Sequence, residues 1–266
     1  MDTTLLNLLA FGLIVAAANI FGGMLLFPSR VHRIPKQSLK YLLALGAGFM
    51  LAVTFFEIVP KTVLAWQNAH PEWTENLYPP MLLLLTGYLL TQFFEHTVAP
   101  HFHLGEEVPS EEIISTRSAY TGVGGLLMHT FFDGVSIAAA SQLDFRVGLL
   151  VFVAVFLHKF PEGFTIGSMM IAAGKGRREV LIATSVLGAM TILGIVLFYL
   201  IGGRIGLSVA YALPLAAGVT LYVAASDLIP EVNHHGGKKP LVSLSVFAGV
   251  ALFFLVHLLV HEALSG

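Results

Sequence analysis

His129-Thr130-Phe131-Phe132-Asp133-Gly134 and, 29 residues further on, His158-Lys159-Phe160-Pro161-Glu162-Gly163 sit in the middle of two long apolar runs. Both follow the pattern His-x-x-x-[Asp/Glu]-Gly. On a helix, each imidazole then stands one turn from a carboxylate on the same face. Between Met128 and Met170 the surrounding residues are mostly Leu, Val, Phe, Ile and Ala, which leave little to hydrate a charge. Two histidines, two carboxylates and Lys159 in such surroundings require one another, or a metal ion. The rest of the chain reads as the container for that site.

Composition says what kind of container. The chain has 266 residues, 56% of them hydrophobic and 11% charged, with a mean hydropathy of +0.82. These values lie far outside those of soluble proteins. Apolar runs recur along the whole length, each long enough to cross a hydrocarbon core of roughly 30 Å. The fold class expected is an all-α membrane protein, a single polytopic domain over residues 1–266. Eight spans are expected, at about 5–27, 39–66, 81–98, 120–142, 147–173, 180–201, 207–230 and 241–262. The first run lacks a basic flank and outlasts a signal peptide's apolar region, so it reads as a retained helix. With no Cys there is neither a disulfide nor a thiolate metal site. A net charge of −2 and the lack of a basic run point away from nucleic acid.

Lys and Arg in the connections set the orientation. Ten lie on one side: Arg30, Arg33, Lys36, Lys40, Arg117, Lys175, Arg177, Arg178, Lys238 and Lys239. Only Lys61, Arg146 and Arg204 lie on the other. The ten-residue side is expected to be cytoplasmic, in a cell or bacterial inner membrane, with both termini extracytoplasmic. Residues 99–118 then form a cytoplasmic loop bearing histidines and acids. A short echo links Glu57-Ile-Val-Pro60 to Asp227-Leu-Ile-Pro230. Spans one to three and six to eight would flank a central pair in opposite orientations, because three is odd. That is a 3+2+3 inverted repeat with a site near the midplane.

The fourth span centres near Phe131 and the fifth near Phe160, so His129, Asp133, His158 and Glu162 fall at one depth. Two neutral imidazoles and two carboxylates suit a borderline divalent cation such as Zn²⁺ or Fe²⁺. Structural His–carboxylate contacts are the bland alternative; doubling the motif on adjacent helices at equal depth favours metal. Lys159 cannot snorkel from mid-helix, so it needs Asp133 or Glu162 as partner. It reads either as one half of a purely structural ion pair or as a resident counter-ion that balances a carboxylate when the metal leaves. Pro161 frees a carbonyl near Leu157 and predicts a local distortion in the fifth span. Phe132 stands at the matching place in the fourth, which should be straighter, and Gly134 and Gly163 allow close helix approach.

Lesser candidates lie elsewhere. Asp227 and Glu231 would suit an exit relay, and Glu57 an attractor of incoming cations. His96, His101, His103, Glu106 and Glu107 could sequester metal after release, with His234-His235 a weaker case. His257 and His261, spaced i,i+4 beside Glu262, read as interfacial.

These motifs resemble the ZIP family of divalent metal transporters, of the prokaryotic type. The resemblance rests on the paired His-x-x-Pro/x-[Glu/Asp]-Gly motifs, the eight spans, the outward termini and the His-bearing loop. Asp227-Leu-Ile-Pro-Glu231 also resembles that family's seventh helix. It implies uptake of zinc, iron, manganese, cadmium or related ions toward the cytoplasm through His129, Asp133, His158 and Glu162. There are departures. Thr130 stands where many members have Asn, and Asp133 where they have Glu. Lys159 occupies the place of a ligand to a second metal, and Thr191 lies where two-metal members have a sixth-helix Glu. One metal is therefore expected. The partners implied are the transported ion, the bilayer and a second copy of the chain as a homodimer, with no resident cofactor. An intramembrane zinc hydrolase is the competing class; the chain lacks His-Glu-x-x-His, and four ligands leave no evident general base.

Overall fold

The computed structural model describes residues 3–27, 36–73, 75–98, 116–202, 208–236 and 240–265. Ten α-helices lie among them: α1 (Thr3–Met24), α2 (Lys36–Val53), α3 (Val59–Ala69), α4 (Tyr78–Phe93), α5 (Thr116–Leu143), α6 (Phe145–Ala172), α7 (Arg177–Ile201), α8 (Val209–Tyr222), α9 (Ile229–Gly236) and α10 (Pro240–Ser265). Among the described residues there is no strand. Lipid offers backbone groups no hydrogen-bond partner, so a helix, which pairs its own, is the natural solution for so apolar a chain.

Among the described residues, seven stretches are long and apolar enough to cross a membrane: Thr4–Met24, Ala44–Ala69, Ala119–Leu143, Phe145–Ile171, Arg177–Ile201, Val209–Leu228 and Pro240–Glu262. The expected third span is not among them. Helix α4 is 16 residues long and continues through a π-helical turn, Phe94–Val98, where Glu95 and His96 dilute its apolar character. Most of the 99–118 loop, including His101, His103, Glu106 and Glu107, lies outside the described residues.

The echo between Glu57 and Asp227 has a structural counterpart. Each lies in a π-helical turn, Thr54–Ile58 between α2 and α3, and Val223–Leu228 between α8 and α9. The Val59 N–H reaches back to the Thr54 carbonyl, and the Ile229 N–H to the Ala224 carbonyl. Pro60 and Pro230 follow at once and have no N–H to continue the normal ladder, so the turn widens before each. Pro161 acts differently: α6 is helical without a break from Phe145 to Ala172, so the expected local distortion is not seen as an interruption.

Packing follows the same two-part plan. Helix α1 lies on α6 and α7, α5 on α6, α7 and α8, α2 on α6 and α10, and α4 on α8. These pairings map onto one another when α1 is exchanged with α7, α2 with α8, α4 with α10, and α5 with α6. Reciprocal glycines make the closest crossings. Gly22 and Gly163 meet the backbones of Phe160 and Asn19, while Gly194 and Gly134 meet those of Phe131 and Thr191. Gly48 pairs likewise with Gly249 between α2 and α10, and Gly218 with Gly87 between α8 and α4. In lipid, where apolar side chains gain nothing by leaving the solvent, such backbone contact is a main source of helix association. Gly134→Val would set its Cβ against the Thr191 carbonyl, with two methyl groups beyond it to place. It should destabilise the detergent-solubilised protein by at least about 1–3 kcal/mol, read as a lowered unfolding temperature.

Outward faces stay apolar, as contact with lipid requires. On α10, Phe247, Leu244 and Leu258 are all well exposed. The core between helices is built of small and branched residues, among them Ala44, Ala47, Ala138, Ala139, Val151 and Ala216.

Candidate metal centre

Only Asp144 separates α5 from α6, and its carboxylate accepts the Arg146 N–H at 2.8 Å to cap α6. Such a short link makes the two helices adjacent. His129 and His158 lie nearly equal distances along the chain from it, so the two motifs meet. His129, Asp133 and His158 are each at most 2% exposed, Lys159 is 0% exposed, and the Glu162 side chain is 8% exposed. One ligand atom from each of His129, Asp133, His158 and Glu162 can be chosen so that all lie within 4.8 Å of one another.

Asp133 Oδ2 is the hub. His129 Nε2 lies 3.2 Å from it, His158 Nε2 3.4 Å and Lys159 Nζ 2.9 Å. Glu162 Oε2 is 3.4 Å from His129 Nε2 and 2.5 Å from Lys159 Nζ. The Lys159 ammonium also donates to Thr130 Oγ1 at 3.1 Å, so its three N–H bonds have three acceptors. The sequence offered Asp133 or Glu162 as partner for Lys159; the ammonium takes both. Thr130, noted in the sequence only as a replacement for Asn, is its third contact.

His158 Nδ1 lies 3.0 Å from the Ala154 carbonyl. A carbonyl only accepts, so Nδ1 carries the proton, and in the neutral ring Nε2 presents a lone pair. That lone pair and the Asp133 carboxylate face each other as two acceptors, an arrangement suited to a cation between them. His129 Nδ1 is buried with no hydrogen-bond partner. With both rings neutral, the cluster holds two negative charges against one positive.

Two residues that complete the surroundings come from other helices. Asn19 of α1 is fully buried and donates through Nδ2 to Glu162 Oε1 at 2.8 Å. Its sequence signal was available: it is the only hydrogen-bonding side chain between Leu8 and Pro28. Thr191 of α7 is also fully buried.

The lesser candidates are spread out. Glu57 is 7% exposed, and its Oε1 lies 2.7 Å from His257 Nδ1. Together with Lys61, Asp144, Arg146 and His261 they line one cavity near the α5–α6 link. Arg146 Nη1 donates to His261 Nδ1 at 3.2 Å. The sequence reading of His257 and His261 as interfacial missed this pairing, because the partner stands in a distant span. Asp227 is half-buried in its π-helical turn, next to Ser226, whose hydroxyl meets Tyr88 Oη at 2.6 Å. Glu231, His234 and His235 lie in α9, and their side chains are outside the described residues. His96 is exposed and donates from Nδ1 to the Gln92 carbonyl at 3.1 Å.

A family model described as ZIP zinc transporter matches residues 105–257, more than half of the chain. The chain belongs to the ZIP zinc transporter family. The match begins in the connection before α5 and takes in α5 and α6 whole, with the paired motifs. Among relatives of this ZIP chain is zinc transporter ZIP9 of Micropogonias undulatus, 31% identical over 189 residues. That match covers 66% of this chain and 59% of the relative, so the chain spans less than two thirds of that relative's length. Zinc transporter ZIP9 of Xenopus tropicalis is 27% identical over 246 residues, covering 77% of this chain and 79% of the relative. The human metal cation symporter ZIP8 is 27% identical over 106 residues, covering 40% of this chain and 23% of the relative. These relatives are vertebrate proteins and lend the expected prokaryotic type no support.

Proposed function

We propose that this ZIP chain carries a divalent transition-metal cation, Zn²⁺ foremost and Fe²⁺, Mn²⁺ or Cd²⁺ as alternatives, across a membrane toward the cytoplasm. The convergence of His129, Asp133, His158 and Glu162 within 4.8 Å, among buried apolar surroundings, carries this reading. Both vertebrate ZIP9 relatives are named zinc transporters. The site is mononuclear, because Lys159 fills the place beside it with a positive charge. Lys159 acts as counter-ion: it neutralises Asp133 and Glu162 when no metal is bound and moves aside when one arrives. Metal binding also competes with protons at these ligands.

The matched packing of α1–α4 and α7–α10 about α5 and α6 supports a 3+2+3 inverted repeat working by alternating access. Counting α4 with its π-helical continuation gives eight spans. The bias of Lys and Arg puts both termini outside a cell or inner membrane, and residues 99–118 inside. Exposed apolar faces such as that of α10 are open to lipid or to a second copy in a homodimer.

Glu57, in the cavity it shares with His257 and Asp144, attracts the incoming cation, and Asp227 and Glu231 serve its exit. Glu57→Gln should raise KM for the metal several-fold and leave kcat near the wild-type value, measured by initial uptake rates. Equal loss of both would assign Glu57 to structure instead.

Metal uptake into proteoliposomes, measured for Zn²⁺, Fe²⁺, Mn²⁺ and Cd²⁺, tests the reading as a whole. Saturable uptake that an external chelator abolishes is expected. Hydrolysis of a peptide or lipid substrate by the purified protein, abolished by a chelator and without flux, would replace transport with the intramembrane hydrolase.

A further inference from the structure

Glu162 belongs to the pair of motifs, yet its two oxygens have different neighbours. Oε2 faces His129 and Lys159, at 3.4 and 2.5 Å. Oε1 is turned the other way and takes the Asn19 amide at 2.8 Å. The backbones of α1 and α6 are in contact here, since Gly163 lies directly against the Asn19 carbonyl. Asn19 therefore cannot swing far from Glu162 without the helices parting.

The amide's orientation follows from chemistry: a carboxylate can only accept from it, so nitrogen faces Glu162 and oxygen faces away. That Oδ1 is buried and has no hydrogen-bond partner. A fully buried amide with an unsatisfied oxygen is costly where only packing is at stake, and an apolar residue would join α1 to α6 without that cost. The group that gains from Asn19 is Glu162.

We propose that Asn19 is a positioning residue that confines Glu162 to binding metal through one oxygen, and thereby selects Zn²⁺ over larger, oxygen-seeking ions such as Mn²⁺. The inference rests on the transport reading above. With Oε1 held by the amide, Glu162 offers Oε2 alone, and one donor atom from each of the four residues, two imidazole nitrogens and two carboxylate oxygens, makes a set of four. Four such donors are what Zn²⁺ takes. Mn²⁺ prefers six oxygen-rich ligands, and larger cations commonly gather both oxygens of a carboxylate. Releasing Oε1 would add a fifth donor and favour the larger ion.

The test compares kcat/KM for Mn²⁺ with that for Zn²⁺ in proteoliposomes, for wild type, Asn19→Leu and Asn19→Ala. Removing the amide should raise the Mn²⁺-to-Zn²⁺ ratio roughly tenfold, the order seen when groups that orient metal ligands are lost. A defect of packing alone would lower both rates together and leave the ratio unchanged; that result, or unchanged rates, overturns the proposal. Infrared difference spectra of Zn²⁺-loaded wild type supply a measurement that does not depend on the folding of the Asn19 variants. The wide carboxylate splitting of one-oxygen binding at Glu162, identified by its loss in Glu162→Gln, is expected, and the narrow splitting of two-oxygen binding overturns the inference. Wild-type protein that carries neither ion would refute the transport reading, and this inference with it.

Discussion

His158→Ala should lower kcat/KM for Zn²⁺ uptake by about 100-fold or more, beyond the 10–100-fold typical of losing a group that merely supports a ligand. Its Nε2 is oriented by the Nδ1 contact with Ala154 at 3.0 Å, so the wild-type centre holds that donor in place. The variant keeps Asp133, Glu162 and His129, with Lys159 still bridging the carboxylates, and leaves the ion one nitrogen donor short. Folding should survive, because the Ala154 carbonyl remains within the α6 ladder. Uptake in proteoliposomes, beside a size-exclusion profile matching wild type, makes the comparison. Undiminished uptake would mean that the ion does not pass between α5 and α6.

Lys159→Met should destabilise the metal-free protein by about 3–5 kcal/mol, the order found when one partner of a buried ion pair is removed. Asp133 and Glu162 would then face each other's charge with the ammonium gone, and Thr130 would lose its donor. Metal reverses the sign of the effect. A dication bound to both carboxylates supplies the missing charge, and the variant's metal no longer has an ammonium to displace, so affinity should rise. Stability should then climb with Zn²⁺, by about 2.7 kcal/mol at a hundred times Kd. Thermal unfolding in detergent with and without Zn²⁺, paired with equilibrium metal binding, reads both halves. A variant at Lys159 that leaves metal affinity and the pH dependence of transport as in wild type would end the counter-ion role.

Much of this site was legible in the linear chain because its signal is local. A helix repeats every 3.6 residues, so His129 with Asp133 and His158 with Glu162 declare a shared face without any coordinates. A four-residue link around Asp144 announced that the two faces would meet. Asn19 was not legible in the same way. A lone Asn in an apolar run signals a buried partner, but nothing local says which one, and Glu162 lies 143 positions away. The pairing of Glu57 with His257 was hidden for the same reason. A proline's effect depends on its neighbours: α6 continues through Pro161 without interruption, while the turns before Pro60 and Pro230 widen.

What the amino-acid order settles alone is what repeats at short range or sums over the chain: long apolar helices, a membrane as solvent, and two motifs that each set a histidine and a carboxylate on one helix face. Hydropathy and periodicity act on every residue regardless of what it later touches. Tertiary structure alone decided which oxygen of Glu162 faces His129 and Lys159 and which is held by α1. It also decided that Lys159 serves both carboxylates, and that reciprocal glycines bring the helix backbones into contact. Those features depend on distances of a few ångströms between segments far apart in the chain, set by how helices cross in three dimensions.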